Sequence, residues 1–240
     1  MRRRIGAALA AVLLGLVAGP VTAAPKTPVV LVHGFLGTGL SMEKMRQKLA
    51  ARGFPAYAPT LLTNDNIANS YQLELFIEGW VLPTNPGVTK VHLVSFSMGG
   101  LSTRYLIKSG RAPSIASLTQ IAAPNYGYQP ATGAGPCQLP DIAGGQMCPT
   151  SAFIHDLNAG DDTPGDIPYS SAQSGADTPD NSVLDGGACR AYPLTTTPHA
   201  QLPDDDAIID WVIASVERAE AGPPYGPCAA PGAFQNLPIQ

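Results

Sequence analysis

The stretch from Val91 to Lys108 constrains the fold more than any other part of this chain of 240 residues. Val91 to Phe96 is an apolar run that predicts a buried strand, and Gly99-Gly100 opens a segment that predicts a helix. Ser97 lies at the turn between them. A turn this tight forces its tip residue toward positive φ, which costs free energy for any residue other than glycine. The residues two before and two after the tip must be small, because the two backbones pass close together there.

Such a strand–turn–helix unit is what a nucleophile elbow requires. It would lift the Ser97 hydroxyl clear of the sheet and place the N–H of Met98 at the positive end of the helix, where it can stabilise an oxyanion. Gly99 satisfies the size requirement. Ser95 satisfies it only approximately, because the G-x-S-x-G pattern has glycine there. An ordinary turn capped by serine would show the same short motif, so the rest of the chain must decide.

Residues 1–24 predict a secretory signal peptide. Three arginines precede an apolar run from Ile5 to about Gly19, and small residues follow up to Ala24. The run is shorter than the roughly 20 residues of a membrane span, and no stop-transfer charges follow it. We therefore expect cleavage after Ala23 or Ala24, a secreted extracellular protein, and no stable membrane anchor.

Residues 25–240 predict one catalytic domain, with an irregular Pro-rich tail at 221–240. Loss of the three leader arginines from the 14 basic residues leaves 11 against 18 acidic residues, a net charge of −7. A mildly acidic protein without a basic stripe argues against nucleic acid as a partner. We expect a monomer.

Four cysteines in the second half of the chain predict two disulfides, because an exported protein with an even cysteine count is oxidised. Three pairings are possible. We favour Cys137–Cys148, a short loop closure, and Cys189–Cys228, which would tie the tail to the domain. No C-x-x-C occurs and no histidine lies at metal-ligand spacing, so we predict no metal site.

Strands alternate with helices along the chain. The predicted strands are 28–32, 54–60, 91–96, 117–122, 167–173 and 191–196, and the predicted helices are 41–52, 69–80, 99–108, 150–158 and 204–219. The expected core contacts of the second helix, 69–80, are Tyr71, Leu75 and Trp80. This alternation predicts a largely parallel sheet with helices on both faces. Chemistry in such a sheet gathers at the carboxyl ends of the strands.

The long loop 124–149 is either functional or disordered, and its two cysteines argue that it is ordered.

A serine nucleophile needs a base, and the base needs an acid to orient it. The histidines of the chain are His33, His92, His155 and His199. In α/β-hydrolases the order along the chain is serine, acid, histidine. Only His155 and His199 follow the serine, and only His199 follows a strand end with acids before it. We therefore predict His199 as the base.

The acid should lie just past the strand that precedes the base. Asp177 fits this position best, Asp180 is the near alternative, and Asp185 is a more distant one.

The first predicted strand ends in the loop His33-Gly34-Phe35. The backbone N–H of Phe35 could face the same oxygen as the N–H of Met98, which would complete an oxyanion hole. We expect His33 to hydrogen-bond its own loop. Leu36 and Leu40, with the side chains of Phe35 and Met98, are predicted to line the acyl site, although each could equally belong to the core.

Together, the His33-Gly34-Phe35 loop, the elbow Ser95-Phe-Ser97-Met-Gly-Gly, Ser174-Gly-Ala-Asp177 and a late His199 resemble the small secreted bacterial lipases, a lipase A-like class of α/β-hydrolases. The resemblance spans about Pro28 to Ala219. It implies a single-domain α/β-hydrolase fold and hydrolysis of carboxylic esters of lipids, chiefly acylglycerols, without a cofactor. The substrate would be a lipid ester, met at a lipid–water interface.

Carried over residue by residue, the resemblance makes Ser97 the nucleophile, Asp177 the orienting acid and His199 the base. Phe35 and Met98 become the oxyanion donors. Two features depart from the family: many relatives have glycine or alanine at position 95, and the loop 124–149 is longer than in the smallest members. The same triad also serves acyltransferases, thioesterases and peptidases, and a non-catalytic binding protein is a further alternative.

Overall fold

A computed structural model describes residues 25–111, 114–177, 181–185, 187–228 and 234–236. The predicted signal peptide, residues 1–24, lies outside these ranges, as does Asp180. No helix within the described ranges is both long enough and apolar enough to cross a membrane.

One sheet organises the described residues. Its strands are β1 (Val29–Val32), β2 (Ala56–Tyr57), β3 (Val91–Phe96), β4 (Ile115–Ile121), β5 (Tyr169–Ala172), β6 (Cys189–Ala191) and β7 (Phe234–Asn236). They lie in the order β2-β1-β3-β4-β5-β6-β7. Neighbouring strands from β2 through β6 are parallel, and β7 is antiparallel to β6.

Helices cover both faces of this sheet. They are α1 (Glu43–Ala51), α2 (Asn66–Phe76), α3 (Leu82–Thr84), α4 (Gly99–Lys108), α5 (Ala152–Asn158) and α6 (Asp206–Glu220). Short 3₁₀ turns occupy Gly39–Met42, Pro136–Gln138, Asp141–Ala143, Gly145–Met147 and His199–Asp204, and a π-helical turn spans Ile77–Val81.

The core has two layers separated by the sheet. On one face, Leu49 of α1 and Val212 of α6 pack against Leu31 and Val94. On the other face, Leu73 of α2 and Leu106 of α4 pack in a cluster with further residues of β1 and β3. Strands β1 and β3 are buried along their whole length, because helices cover both of their faces. The predicted α/β fold with a mostly parallel sheet is confirmed.

The buried face of α2 differs from the prediction. Tyr71, Leu75 and Trp80 are 51 %, 74 % and 57 % exposed. The core side chains are instead Leu73, Ile77 and Val81, spaced four residues apart. Polar residues occupy the first turns of the same buried face, namely Asn66, Asn69 and Ser70. Because half of the buried stripe is polar, the sequence shows no hydrophobic repeat on that face of the helix. The larger side chains on the opposite face therefore indicated the wrong face as the buried one.

Two predicted strands are shorter than expected. The strand predicted at 54–60 is reduced to Ala56–Tyr57, because Pro55 and Pro59 flank it and proline cannot donate to a sheet. The strand predicted at 191–196 ends at Ala191, two residues before Pro193, and begins earlier, at Cys189.

The tail contains a strand that the sequence did not predict. Cys189 in β6 is joined to Cys228, and this link brings the chain back beside the sheet. Phe234–Asn236 then pairs with β6, so the prediction of an irregular tail is wrong for these three residues. The other disulfide joins Cys137 to Cys148, and both pairings are the ones that the sequence favoured.

Candidate active site

Ser97 lies at the tip of the turn between β3 and α4. Its φ is +53°, in the left-handed region that a non-glycine residue rarely adopts. The turn is held by the N–H of Ser97, which donates to the carbonyl of Ile121 at 2.8 Å, and by the N–H of Gly100, which donates to the carbonyl of Ser97 at 2.9 Å. The strained backbone therefore has support from the neighbouring strand and from the helix.

Close packing around the elbow explains the small residues on either side of it. A Cβ atom at Gly99 would lie 2.5 Å from the carbonyl oxygen of His33, and one at Gly34 would lie 2.8 Å from the Cβ of Ser97. Position 95 is fully buried, and the Ser95 hydroxyl accepts a hydrogen bond from the Thr103 hydroxyl at 3.3 Å. A partner on α4 thus accommodates serine where the common pattern has glycine.

His199 bridges Ser97 and Asp177. Its Nε2 is 2.9 Å from the Oγ of Ser97, and its Nδ1 is 2.6 Å from the Oδ2 of Asp177. A carboxylate can only accept, so Nδ1 carries the proton and Nε2 presents its lone pair to the serine hydroxyl. The ring of Phe96 lies beside the imidazole, with centroids 4.9 Å apart. This is the geometry of an activated nucleophile with an oriented base.

The two loops that carry Asp177 and His199 are tied to each other. The N–H of Gly175 and the hydroxyl of Ser174 both donate to the carbonyl of Thr195, at 2.8 Å and 3.2 Å. Ser174 and Gly175 belong to the turn after β5, and Thr195 belongs to the segment between β6 and His199. Both loops leave the carboxyl ends of neighbouring parallel strands, as the rule for such sheets predicts.

Asp205 anchors the His199 loop to the start of α6. Its carboxylate accepts hydrogen bonds from the hydroxyls of Thr195 and Thr197 and from the N–H of Ile208. Burial raises the pKa of Asp205, but these hydrogen bonds outweigh that effect and leave the pKa below its ordinary value. Because an ionised aspartate also stabilises the N-terminus of a helix, one residue serves the cap and the loop together.

Two backbone N–H groups, one in the elbow and one in the loop after β1, are candidates to bind an oxyanion. Within the described ranges, neither Phe35 nor Met98 donates its N–H to another group. Met98 is buried at the start of α4, and Phe35 packs against the cluster that contains Met98. Free N–H groups at a helix N-terminus and on an adjacent loop are suited to bind an oxyanion.

A cavity of about 210 Å³ opens on Ser97 and His199. It is lined by Ser97, Ala122, Pro124, Tyr128, Met147, Gln173, Asp177, Asn181 and His199. Leu36 and Leu40, predicted to line the acyl site, are 75 % and 81 % exposed and lie outside this lining.

Sequence reasoning missed the other lining residues. Ala122, Pro124 and Gln173 follow strand ends, so the rule that sites gather there could have found them. Tyr128 and Met147 come from the long loop, and no local pattern marks which of its side chains turn inward.

The remaining histidines have other partners. His33 donates from Nδ1 to the carbonyl of Gly34 at 2.8 Å and accepts at Nε2 from the N–H of Leu61 at 2.9 Å. It holds its own loop, as predicted. His92 is buried between Ser117 and Glu220. His155 is exposed on α5.

Asp185 faces a different part of the protein. Burial, followed by a hydrogen bond with Asp185, raises the pKa of the Tyr126 hydroxyl. The N–H of Asp185 donates to Asp162 at 2.9 Å. Of the three acids considered, Asp177 is therefore the one that the described residues place beside His199.

A buried cation holds the segment that directly follows Pro124, a residue of the cavity lining. Arg104 of α4 donates to the carbonyls of Asn125 and Asp162, both at 3.3 Å, and to the Asn158 side chain at 2.9 Å. Burial lowers the pKa of Arg104, and the Asp162 carboxylate opposes that effect. In the part of the chain that the structure describes, no group of three His, Cys, Asp or Glu side chains is arranged to hold a metal ion.

Comparison with known proteins adds sequence relatives. The family described as Lipase (class 2) matches residues 26–187. A triacylglycerol lipase of Burkholderia plantarii is 32 % identical over 124 residues, and one of Pseudarthrobacter phenanthrenivorans is 32 % identical over 118 residues. These matches cover 47 % and 45 % of this chain but only 34 % and 36 % of the relatives. The chain thus spans about a third of the length of the curated relatives it matches.

Solved structures share the fold. The crystal structure of Aspergillus fumigatus lipase B superposes with a TM-score of 0.67 at 15 % identity, covering 85 % of this chain and 54 % of that one. The mature Bacillus licheniformis lipase BlEst2 superposes with a TM-score of 0.51 at 19 % identity, covering 63 % of this chain and 68 % of that one. At these identities the likeness shows the fold alone.

Proposed function

The chain belongs to the class 2 lipase family, and from that premise we propose that it is a secreted serine hydrolase that cleaves carboxylic esters of lipids. One observation carries the proposal: a single imidazole lies 2.9 Å from a serine hydroxyl and 2.6 Å from a carboxylate, on a strained elbow that opens into a cavity. The ester specificity comes from the family, since the triad alone does not select the acyl group.

In the proposed reaction the Ser97 oxygen attacks the ester carbonyl carbon while His199 Nε2 takes the hydroxyl proton. The negative charge that develops on the carbonyl oxygen is stabilised by the N–H groups of Phe35 and Met98. Collapse of this intermediate breaks the bond to the alcohol, which leaves with the proton from His199. Water then attacks the acyl carbon while His199 Nε2 takes its proton. The bond to Ser97 Oγ breaks, His199 returns the proton to that oxygen, and the carboxylic acid product is released. Asp177 keeps the imidazole in the correct tautomer throughout.

Exposed apolar side chains near the oxyanion loop support a lipid substrate. The N–H of Leu36 donates to the Asn64 side chain at 3.1 Å, which joins two loops that expose leucines. A third loop lies against Phe35, because a Cβ at Gly144 would be 2.7 Å from its ring. Four exposed apolar residues lie on these loops and on the 3₁₀ turns next to them, namely Leu36, Leu40, Leu62 and Ile142. Exposed apolar surface of this kind is suited to a lipid–water interface.

Secretion is part of the same proposal. The predicted leader at 1–24 would carry the chain out of the cytoplasm. The two disulfides fit an oxidising compartment, where such bonds persist.

Substitution of the nucleophile tests the mechanism. We expect Ser97→Ala to lower kcat by about 10⁴-fold or more with an unchanged melting temperature, because the remaining triad has nothing to activate. A serine-directed phosphonate should label the wild type and not the variant. The matched control is Ser109→Ala, because Ser109 lies at the distal end of α4. This variant should keep full activity. Near-normal turnover by Ser97→Ala would rule out the mechanism.

The orienting acid and the substrate need separate measurements. Asp177→Asn should lose most of kcat, and Asp180→Asn should not; the reverse result would transfer the role to Asp180.

A chain-length series of esters tests the substrate class. Each ester is presented both in solution and as an emulsion, with a thioester and a peptide as controls. Preference for the thioester or the peptide would contradict the lipid ester proposal.

A further inference from the structure

We infer that Gln173 is a positioning residue that holds the loop of the triad acid against the base. This inference rests on the proposed triad and adds to it a side chain that lies between its two loops. Gln173 follows β5 directly and is 2 % exposed, so its amide must find partners inside the protein.

Both ends of the amide are bonded to the loop that carries Asp177. The Gln173 Nε2 donates to the backbone carbonyl of Asp177 at 2.8 Å, and the Oε1 accepts from the backbone N–H of Asn181 at 2.8 Å. One side chain thus clamps two points of the loop, four residues apart. The carbonyl that it holds belongs to the residue whose carboxylate orients the base.

The backbone of Gln173 is bonded to the segment that leads to the base. Its N–H donates to the carbonyl of Ala191 at 3.0 Å, and its carbonyl accepts from the N–H of Leu194 at 3.1 Å. Ala191 ends β6, and the chain then runs to His199. Gln173 is therefore joined through its side chain to the loop of the acid and through its backbone to the loop of the base.

Polar contacts join Asn181 to the segment that follows Pro124. The Asn181 side chain donates to the backbone carbonyl of Gly127 at 3.1 Å, and the backbone carbonyl of Asn181 accepts from the Asn125 side chain at 3.1 Å. The carbonyl of Asn125 accepts in turn from Arg104. Asn181 is thus held in place by its other hydrogen bonds. Its bond to Gln173 therefore restrains the position of the Gln173 side chain and, through it, of the Asp177 carbonyl.

The chemistry of the clamp needs an amide. A carbonyl requires a donor and an N–H requires an acceptor, and glutamine offers both at the end of one side chain. Glutamate keeps the acceptor for Asn181 but has no proton for the carbonyl of Asp177 when ionised. Methionine fills a similar volume and offers neither bond.

The test is a double-mutant cycle with the triad acid. We expect Gln173→Met to lower kcat about 10- to 100-fold with KM within about threefold, because a displacement of about 1 Å in a catalytic group costs about that much. In an Asp177→Asn background the same substitution should lower kcat less than about twofold, since the carboxylate that it positions is already gone. Gln173→Glu should lower kcat at least as far as Gln173→Met, because its ionised carboxylate would face the carbonyl oxygen of Asp177 in a buried position.

Gln72→Met is the matched control. The Gln72 amide also accepts from a loop N–H, that of Leu62 at 3.0 Å, and donates to the Asn69 side chain at 3.3 Å, but Gln72 lies on α2 outside the cavity lining. We expect this variant to lose thermal stability and to keep kcat within about twofold. Circular dichroism verifies that each variant is folded before its rates are compared.

Two results would overturn the positioning role. One is an equal loss of kcat from Gln173→Met with and without Asp177→Asn, which would mean that the two residues act independently. The other is a loss confined to KM, which would make Gln173 a substrate contact, since it also lines the cavity. Loss of activity in Ser97→Ala alongside either result would leave the proposed function intact and remove only this inference.

Discussion

The close approach of Gly34 to the elbow leads to a quantitative prediction for Gly34→Ala. The new Cβ would lie 2.8 Å from the Cβ of Ser97 and 3.3 Å from the Cδ1 of Phe96. Carbon atoms in contact prefer about 3.5–4.0 Å. The loop and the elbow must therefore move apart by about 1 Å.

That displacement falls on the proposed oxyanion hole. Phe35 is the next residue, and a donor that works at about 2.7–3.1 Å from the oxyanion would be left near 4 Å. Loss of one such donor costs about 10²- to 10³-fold in kcat. We expect Gly34→Ala to lower kcat about 100-fold with little change in KM. Overpacking by one methyl group should also cost about 1–3 kcal/mol of stability, a fall of several degrees in melting temperature.

Steady-state kinetics on a soluble ester, with calorimetry on the same samples, measures both effects. Gly79→Ala is the control, because nothing lies within 4 Å of a Cβ at that position, and we expect it to keep wild-type kcat. If Gly34→Ala turned over at the wild-type rate while folded, the hydrogen bond assigned to Phe35 would have no part in catalysis.

The remaining predictions concern stability. Burial raises the pKa of Glu220, but hydrogen bonds from His92 and Thr27 prevail and lower it from 4.5 to about 2; its stabilising effect is therefore complete above about pH 5 and is lost as the pH falls to about 2. Glu220→Gln should flatten the fall in melting temperature between pH 5 and 2, and an unchanged slope would refute this role. Replacing Cys189 and Cys228 by alanine opens a loop of 39 residues and should cost about 4 kcal/mol in urea unfolding, against about 3 kcal/mol for the 11-residue loop of the other disulfide. An equal or smaller cost for the larger loop would contradict the loop-entropy argument.

The sequence predicts the parts of the site that obey local rules. Ser97 is predicted as the nucleophile because an apolar strand, a two-residue turn and two glycines occur together, and each has a steric reason. His199 and Asp177 are predicted as base and acid because the chain order and the strand ends leave few alternatives. Their distances from each other could not be predicted, because they depend on the pairing of β5 with β6.

Features that depend on distant contacts could not be predicted from local patterns. The core face of α2 was assigned wrongly because Asn66, Asn69 and Ser70 are buried among other polar groups; Asn66, for example, accepts a hydrogen bond from Ser102 of α4. The inward turn of Tyr128 and Met147 depends on the path of a long loop. β7 exists because β6 is beside it. In each case the partner is far away in the sequence.

The two outer strands of the sheet have a consequence for the behaviour of the protein at high concentration. A long outer strand offers unpaired backbone groups on which another molecule can build, and this is a route to aggregation. Here one border is β2, which is only two residues long, and the other is β7, which is three. A variant cut before Phe234 would leave β6, which is also only three residues long, as the outer strand. We therefore expect this variant to remain as resistant to aggregation as the full chain.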